Sequence, residues 1–404
     1  MQWDNKFATR TELMGRSTIR EILKVTAQPD IISFAGGLPA PELFPVDRFR
    51  QMSDEVLSEQ GSIALQYSPT EGMLELRELI AGRLSGNGLT ISSDNVLIVS
   101  GSQQGLDLLG RILLDDKDSI IVENPTYLGM LMAWKTYYLN YFSTPTDVDG
   151  MQVNALPELL AQHPKLAYIV PNFQNPGGNT LSLERRYELV KLLAEYQVPL
   201  IEDNAYGELC YDGEPLPSLL QLDAQHMERN EVDGGHVIYL GTFSKILSPG
   251  MRVGWIVADT NVIDKLVQAK QSADLHTSTL NQYLTYAVAK DGFLDGHIEK
   301  IRDVYRERRD VMIAAMEEHF PEEVTFSRPI GGLFLLVTAP EGVNTTELLE
   351  EAIKQKVAFV PGADFHIGGS GANTFRLNFS NAKPEQIRTG IERLGTLLKT
   401  SIKA

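Results

Sequence analysis

A lysine, an arginine and two hydroxyls crowd one short stretch of this chain. Between the apolar runs 237–240 (VIYL) and 253–257 (VGWIV) lie Thr242, Ser244, Lys245 and Arg252. The runs read as two buried strands, and Gly241 breaks the first. A lysine held in such a turn is partly desolvated and has a cationic neighbour, and both effects lower its pKa. A neutral amine there is a nucleophile towards a carbonyl, so a Schiff base is the natural chemistry. The hydroxyls and Arg252 suit a phosphate beside it. Pyridoxal 5′-phosphate, PLP, is the cofactor that joins an aldehyde to a phosphate. A surface turn carrying a solvated lysine is the competing reading, and the rest of the chain must separate the two.

Other polar residues stand at the ends of apolar runs. The run 95–100 passes through Gly101, Ser102 and Gln103 into a helical pattern. Free N–H groups and the dipole at such a helix start favour an anion. Neither the GxGxxG nor the GxxxxGK[ST] spacing is present, which sets aside the dinucleotide fingerprint and the P-loop. The run 119–122 ends in ENPTY, where Tyr127 could stack on a planar ring or pack into a core. The run 166–170 leads to PNFQNP. There Asn175-Pro176 is first of all a turn, whose Asn could also donate to a ligand oxygen. The run 198–201 ends in Glu202, Asp203, Asn204, Ala205 and Tyr206. Ligands of open α/β sheets bind at the carboxyl ends of strands, and a buried Asp203 calls for a cation.

The elements that must position these groups alternate strand and helix, and from Asn261 to about Lys290 the pattern is helical. Beyond it, helical 296–319, a strand at 331–337, a helix at 345–354 and strands at 358–362 and 375–379 read as a smaller α+β unit. Arg376 alternates within the last strand, facing either solvent or a ligand carboxylate. Towards the N-terminus, Ser17-Thr18 reads as the cap of a short helix with Arg20 in its first turn. The loop 34–45 (FAGGLPAPELFP) would let a ligand approach bare backbone at Gly36-Gly37. Tyr67 sits in an irregular stretch between helical segments 46–60 and 73–85.

The 404 residues are 43% hydrophobic and 22% charged, with a net charge of −17. That is globular composition with room for two domains, and its sign argues against nucleic acid or an anionic membrane as partner. No apolar run is long enough to span a membrane, and the N-terminus lacks an apolar signal core. The single cysteine, Cys210, reads as a core residue, and one cysteine fits a reducing, cytoplasmic setting. The seven histidines show no metal spacing. Gly368–Ala372 (GGSGA) misses the nucleophile-elbow pattern.

Taken together, the motifs resemble those of fold-type-I, PLP-dependent aminotransferases, in the branch of the kynurenine/2-aminoadipate and bacterial 2-aminoadipate aminotransferases. They are STIREIL (17–23), FAGGLPAPELFP (34–45), LQYSPTEG (65–72), GSQQGLD (101–107), ENPTY (123–127), NFQNP (172–176), EDNAY (202–206), GTFSKILSPGMRVGW (241–255) and FRLNFS (375–380). The resemblance implies an α/β protein: a large domain with a central, mostly parallel seven-stranded sheet flanked by helices, plus a smaller α+β domain. It implies an N-terminal arm at 1–45, a PLP-binding domain at 46–287 and a small domain at 288–404. Two departures border the implied site: Gly177 stands where a threonine is usual, and Asn204 where an acid is frequent.

Residue roles follow from the same resemblance. Lys245 would carry the cofactor, Asp203 would face the pyridine nitrogen, and Tyr127 would stack on the ring. Asn175 and Tyr206 would contact the ring's 3-oxygen. Ser102, Gln103, Thr242, Ser244 and Arg252 would hold the phosphate. Tyr67 would serve the site of a partner subunit, so that a homodimer shares its sites. Arg376 would bind the substrate α-carboxylate, assisted by Asn175 and the Gly37 backbone, and Arg20 would meet a distal acid group. The implied reaction moves an amino group from an L-amino acid to a 2-oxo acid such as 2-oxoglutarate. A PLP lyase or decarboxylase on the same fold is the alternative, as is the effector-binding part of an aminotransferase-like transcription regulator. The second needs a winged-helix domain ahead of FAGGLP, and the 33 residues before Phe34 leave no room for one.

Overall fold

A computed structural model describes residues 3–15, 20–22, 28 and 30–402. The Ser17-Thr18 cap lies outside the described residues; residues 20–22 are helical. Nine strands precede residue 260: β1 (Ile32–Ser33), β2 (Val96–Val99), β3 (Ser119–Asn124), β4 (Asn140–Asp147), β5 (Gly150–Met151), β6 (Leu166–Ile169), β7 (Leu200–Asp203), β8 (Val237–Thr242) and β9 (Gly254–Val257). All but β1 form one sheet in the order β2-β9-β8-β7-β6-β3-β4-β5. Seven of its strands match the expected number. The eighth, two-residue β5, turns back antiparallel on β4 through Thr146↔Met151.

Pairing is parallel across β8, β7, β6, β3 and β4. Strand β9 runs antiparallel to both β8 and β2, so β2 points the same way as the parallel block. The carboxyl ends of β2, β3, β6, β7 and β8 therefore lie along one edge, and β9 begins at that edge. Helices cover both faces, so the central strands are continuous apolar runs; every residue of β2 is fully buried. Gly105, in the helix Ser102–Leu113, sets how closely that layer approaches. A Cβ there would come within 2.5 Å of Leu240 Cδ1.

The C-terminal part carries a second, antiparallel sheet in the order β10-β11-β14-β13, from β10 (Thr325–Phe326), β11 (Phe334–Thr338), β13 (Val360–Pro361) and β14 (Thr374–Asn378). The 27-residue helix Phe293–His319 packs against the helix Pro384–Ser401 behind it. Strand β1 pairs in parallel with β12 (Val357–Ala358). The N-terminal arm is thereby tied to C-terminal structure.

Three readings needed adjusting. The helical pattern 261–290 is two helices, Thr260–Ala273 and Thr279–Ala289, with Leu275 between them at φ +66. The long helix begins at Phe293 and runs through Gly296. Asp203 is the last residue of β7 rather than a loop residue beyond it, and the strand fixes its direction.

Candidate active site

A cavity of about 480 Å³ opens at the edge where the strand ends converge. It is lined by Arg20, Ser102, Gln103, Tyr127, Asn175, Asp203, Tyr206, Thr242, Ser244, Lys245 and Arg252. These come from five strand ends and the N-terminal helix. Three of the residues read from sequence do not line it. Arg376 lies behind the wall, Gly37 reaches it through Lys245, and Tyr67 is 77% exposed, edge-on to His276 at 5.7 Å.

Lys245 leaves the turn after β8 and donates from Nζ to the Gly37 carbonyl at 3.0 Å. Burial, then the positive charges of Arg376 and Arg252, bring its amine down to about 8, against the pull of Asp203. Asp203 is 3% exposed. Its Oδ2 accepts from the Tyr168 hydroxyl at 2.7 Å, while Oδ1 is buried with no partner among the described residues. Burial raises the carboxyl to about 6, with Tyr168 and Lys245 opposing. A desolvated carboxylate with one free oxygen is a cation acceptor waiting for its cation.

At the other end of the cavity, the helix Ser102–Leu113 begins after Gly101, which has φ +81. Its first N–H groups have no intrahelical acceptor. Arg252 itself holds a left-handed backbone at φ +54. From there it reaches Ser244 Oγ at 3.4 Å and the Ser100 carbonyl at 3.3 Å. A Cβ on Gly101 would stand 2.1 Å from Arg252 Nη2, so glycine there is what lets the guanidinium lie over the helix start. The Thr242 hydroxyl accepts from the Ser244 N–H at 3.1 Å and shapes the same turn.

Arg376 is 1% exposed. It does not face solvent: its Nη groups donate to Asn175 Oδ1 and the Ala35 carbonyl, both at 2.7 Å. The guanidinium lies over Phe334 at 4.2 Å and Phe365 at 5.2 Å. Burial lowers its pKa to about 10, so it stays cationic at neutral pH. Each Nη keeps a second N–H, and Nε has no partner among the described residues. Burial likewise raises Tyr127 to about 12 and pushes Tyr206 up; both are neutral phenols.

Sequence reasoning missed Leu38, Val170, Ala205 and Pro249, which complete the lining. Val170 directly follows β6 and Ala205 stands two residues past the end of β7, and that placement at strand ends was the available signal. Tyr168 was also missed, because in sequence it is one more apolar strand residue. The two departures from the family pattern sit outside the lining. Asn204 turns away to accept from Asn172 and donate to the Tyr239 hydroxyl. The Gly177 N–H donates to Gln174 Oε1. Cys210 is buried, with its thiol against the Asp212 carbonyl.

The fold and this cavity define a PLP-dependent enzyme of fold type I. Residues 30–394 match the family aminotransferase class I and II. The aromatic-amino-acid aminotransferase 1 of Thermococcus litoralis is 42% identical over 100% of this chain and 96% of its own. The 2-aminoadipate transaminase of Thermus thermophilus is 41% identical, over 99% of this chain and 98% of its own. A structure of the Thermus thermophilus α-aminoadipate aminotransferase, complexed with N-(5′-phosphopyridoxyl)-L-leucine, superposes with a TM-score of 0.93 at 40% identity, covering 100% of both chains. The chain belongs to the aminotransferase class I and II family. It is an aminotransferase, and pyridoxal 5′-phosphate is its cofactor. Among the described residues no helix is long and apolar enough to cross a membrane.

Proposed function

We propose that this aminotransferase accepts a broad range of L-amino acids, including 2-aminoadipate, glutamate, aromatic and branched-chain donors, with 2-oxoglutarate as an acceptor. The observation that carries this reading is the mixed lip of the cavity. Arg20, a cation, and Leu38, an apolar side chain 44% exposed, both line it. A distal carboxylate can meet the first and an apolar side chain the second. The relatives named for aromatic amino acids and for 2-aminoadipate support the same range.

The residue roles are part of the proposal. PLP supplies an aldehyde carbon that takes up the amino group and a protonated ring that serves as electron sink. Lys245 would be the attachment point and, once freed, the base whose neutral Nζ accepts the substrate's Cα proton and hands it on to the carbon that takes up the amino group. Asp203 Oδ1 holds the proton on the pyridine nitrogen. Asn175 and Tyr206 hold the ring oxygen, and Tyr127 covers one face of the ring. Ser102, Gln103, Thr242, Ser244 and Arg252 hold the phosphate at the helix start. Arg376, buttressed by Asn175 and Ala35, grips the α-carboxylate beside the Gly37 backbone and fixes the orientation of the reacting bond.

The remaining organisation is proposed on the same footing: an arm at 1–45, a cofactor domain at 46–287, a small domain at 288–404, and a cytoplasmic homodimer in which Tyr67 serves the neighbouring site. The β1–β12 pairing supports an arm that belongs with the small domain. A donor panel with 2-oxoglutarate tests the function. Glutamate should form from both acidic and apolar donors, with the cofactor passing to pyridoxamine phosphate. Release of carbon dioxide without that conversion would instead identify a decarboxylase.

A further inference from the structure

Tyr168 lies in β6, one strand over from Asp203 in β7, with Tyr168↔Ile201 in register. Its ring is fully buried and packs edge-on against Trp134 at 5.7 Å. Its hydroxyl donates to Asp203 Oδ2 at 2.7 Å, and the other oxygen, Oδ1, is the one left without a partner. A carboxylate with no such contact can rotate and present either oxygen, or neither, to the cavity. We propose that Tyr168 is the positioning residue for Asp203, clamping one carboxylate oxygen so that the other is aimed, ionised, at the pyridine nitrogen of the cofactor. This rests on the role assigned to Asp203 above.

A second consequence is electrostatic. Burial favours the neutral acid, while the phenol's hydrogen bond favours the carboxylate. The other groups facing Asp203 are Lys245, from the turn after β8, and the neutral phenols of Tyr127, Tyr206 and Tyr239. Glu123 faces Tyr168 from β3 and is itself raised to about 8 by burial. Near neutral pH, Lys245 and Tyr168 are thus the groups that keep Asp203 charged. Without the phenol, the acid takes up a proton at a higher pH and must lose it before a protonated pyridine can bind.

The test is PLP binding by apoenzyme between pH 5.5 and 8.5, with Kd read from cofactor absorbance. Tyr168→Phe keeps the ring and its packing. It should raise Kd at neutral pH by about tenfold, the scale of one hydrogen bond to a charged group. The pH below which affinity falls should also move upward by about one unit. In an Asp203→Asn background, which has no charge to position, the same change should have little effect. Trp134→Phe keeps the phenol–carboxylate bond and should leave the pH profile in place. Unchanged binding by Tyr168→Phe overturns the inference, as does a loss equal at every pH and equal in the Asp203→Asn background. Failure of the wild-type chain to bind PLP overturns this inference and the cofactor assignment together. Normal wild-type binding with an unaffected Tyr168→Phe overturns the inference alone.

Discussion

Lys245 Nζ and the Gly37 carbonyl, 208 positions apart in the chain, meet at 3.0 Å. The contact joins the N-terminal arm to the turn after β8. Gly37 is also pressed against the second sheet: a Cβ there would stand 2.9 Å from Phe334 Cζ, and Phe334 carries Arg376 on its ring face at 4.2 Å. One glycine therefore meets the amine directly and the guanidinium through the Phe334 ring. Arm, large sheet and small sheet converge where a substrate amino group and carboxylate would have to lie side by side.

Removing the amine should stop turnover without unfolding the chain. Lys245→Ala is expected to retain PLP by non-covalent contacts and to lose roughly 10²–10⁴-fold or more in kcat, the usual worth of a positioned base. Borohydride reduction of the wild-type enzyme, followed by peptide mass analysis, should place the adduct on Lys245. An adduct on any other lysine would contradict the assignment.

Asp203→Ala removes the proposed pyridinium partner and also leaves the buried Tyr168 hydroxyl without its acceptor. Stability should fall by about 1–3 kcal/mol, the cost of a buried unsatisfied group. Activity should fall by orders of magnitude, and PLP should bind less tightly. Thermal unfolding and steady-state kinetics on the same preparation separate the two effects. Near-normal turnover in a folded Asp203→Ala enzyme would rule out the electron-sink role.

The lysine's depressed pKa has a direction that can be measured. Only the neutral amine attacks a carbonyl. Burial, Arg376 and Arg252 bring Lys245 from 10.5 to about 8, so the neutral fraction falls about tenfold for each unit below that value. The rate of PLP capture by apoenzyme, followed by stopped-flow absorbance, should rise with pH up to about 8 and level off above it. Replacing Arg252 with Ala removes a positive neighbour and should move the break upward. A break near 10.5 in the wild type would show an amine that is solvated in solution.

Legibility in the sequence followed the kind of interaction. The strand ends were readable because buried parallel strands are continuous apolar runs, and a polar residue ending such a run stands out. Lys245, Asp203 and Asn175 were found that way. The eleven cavity-lining residues named from sequence were legible through motif spacing, but most of their distances were not, since pairings such as Lys245–Gly37, Arg376–Asn175 and Arg252–Ser100 join distant parts of the chain. Tyr168 was invisible: nothing local distinguishes a tyrosine that packs from one whose hydroxyl reaches an acid on the next strand. Arg376 was read as facing solvent or a ligand, and its burial between two phenylalanines depends on β11 and the 363–365 turn coming together. The break at 274–278 was missed because the apolar period continues on both sides of it.

Assembly can be tested through Tyr67. Its 77% exposure continues into Leu65 at 69% and Ile63 at 58%, an apolar surface suited to burial against a second copy. Light scattering should give the mass of a dimer. Tyr67→Phe and Lys245→Ala chains, each impaired alone, should recover activity when unfolded together and refolded. In the hybrid, one site holds both defects and the other holds neither. A monomer, or hybrids no more active than the parents, would end the shared-site proposal.

Substrate range turns on Arg20. Every amino donor carries an α-carboxylate, so loss of Arg376 should impair all donors alike. Arg20 differs: it lines the cavity from the N-terminal helix, exposed to solvent, and its proposed partner is a distal acid group that only some donors carry. A charge-assisted hydrogen bond contributes roughly 1.5–3 kcal/mol when shielded and about 1 kcal/mol or less in water. Arg20→Ala should therefore lower kcat/KM for 2-aminoadipate and glutamate by up to about fivefold while the contact stays solvated, and by about 10- to 100-fold if the bound substrate excludes water around it. The loss should appear mainly in KM, because the contact is the same before and during the chemical step. Leucine and aromatic donors offer no distal carboxylate and should change by no more than about twofold, the scale of an unrelated surface substitution. Arg20→Lys keeps the charge and should recover part of the loss for acidic donors only. If acidic and apolar donors lose equally, Arg20 holds the helix in place and the acid-recognition role is wrong.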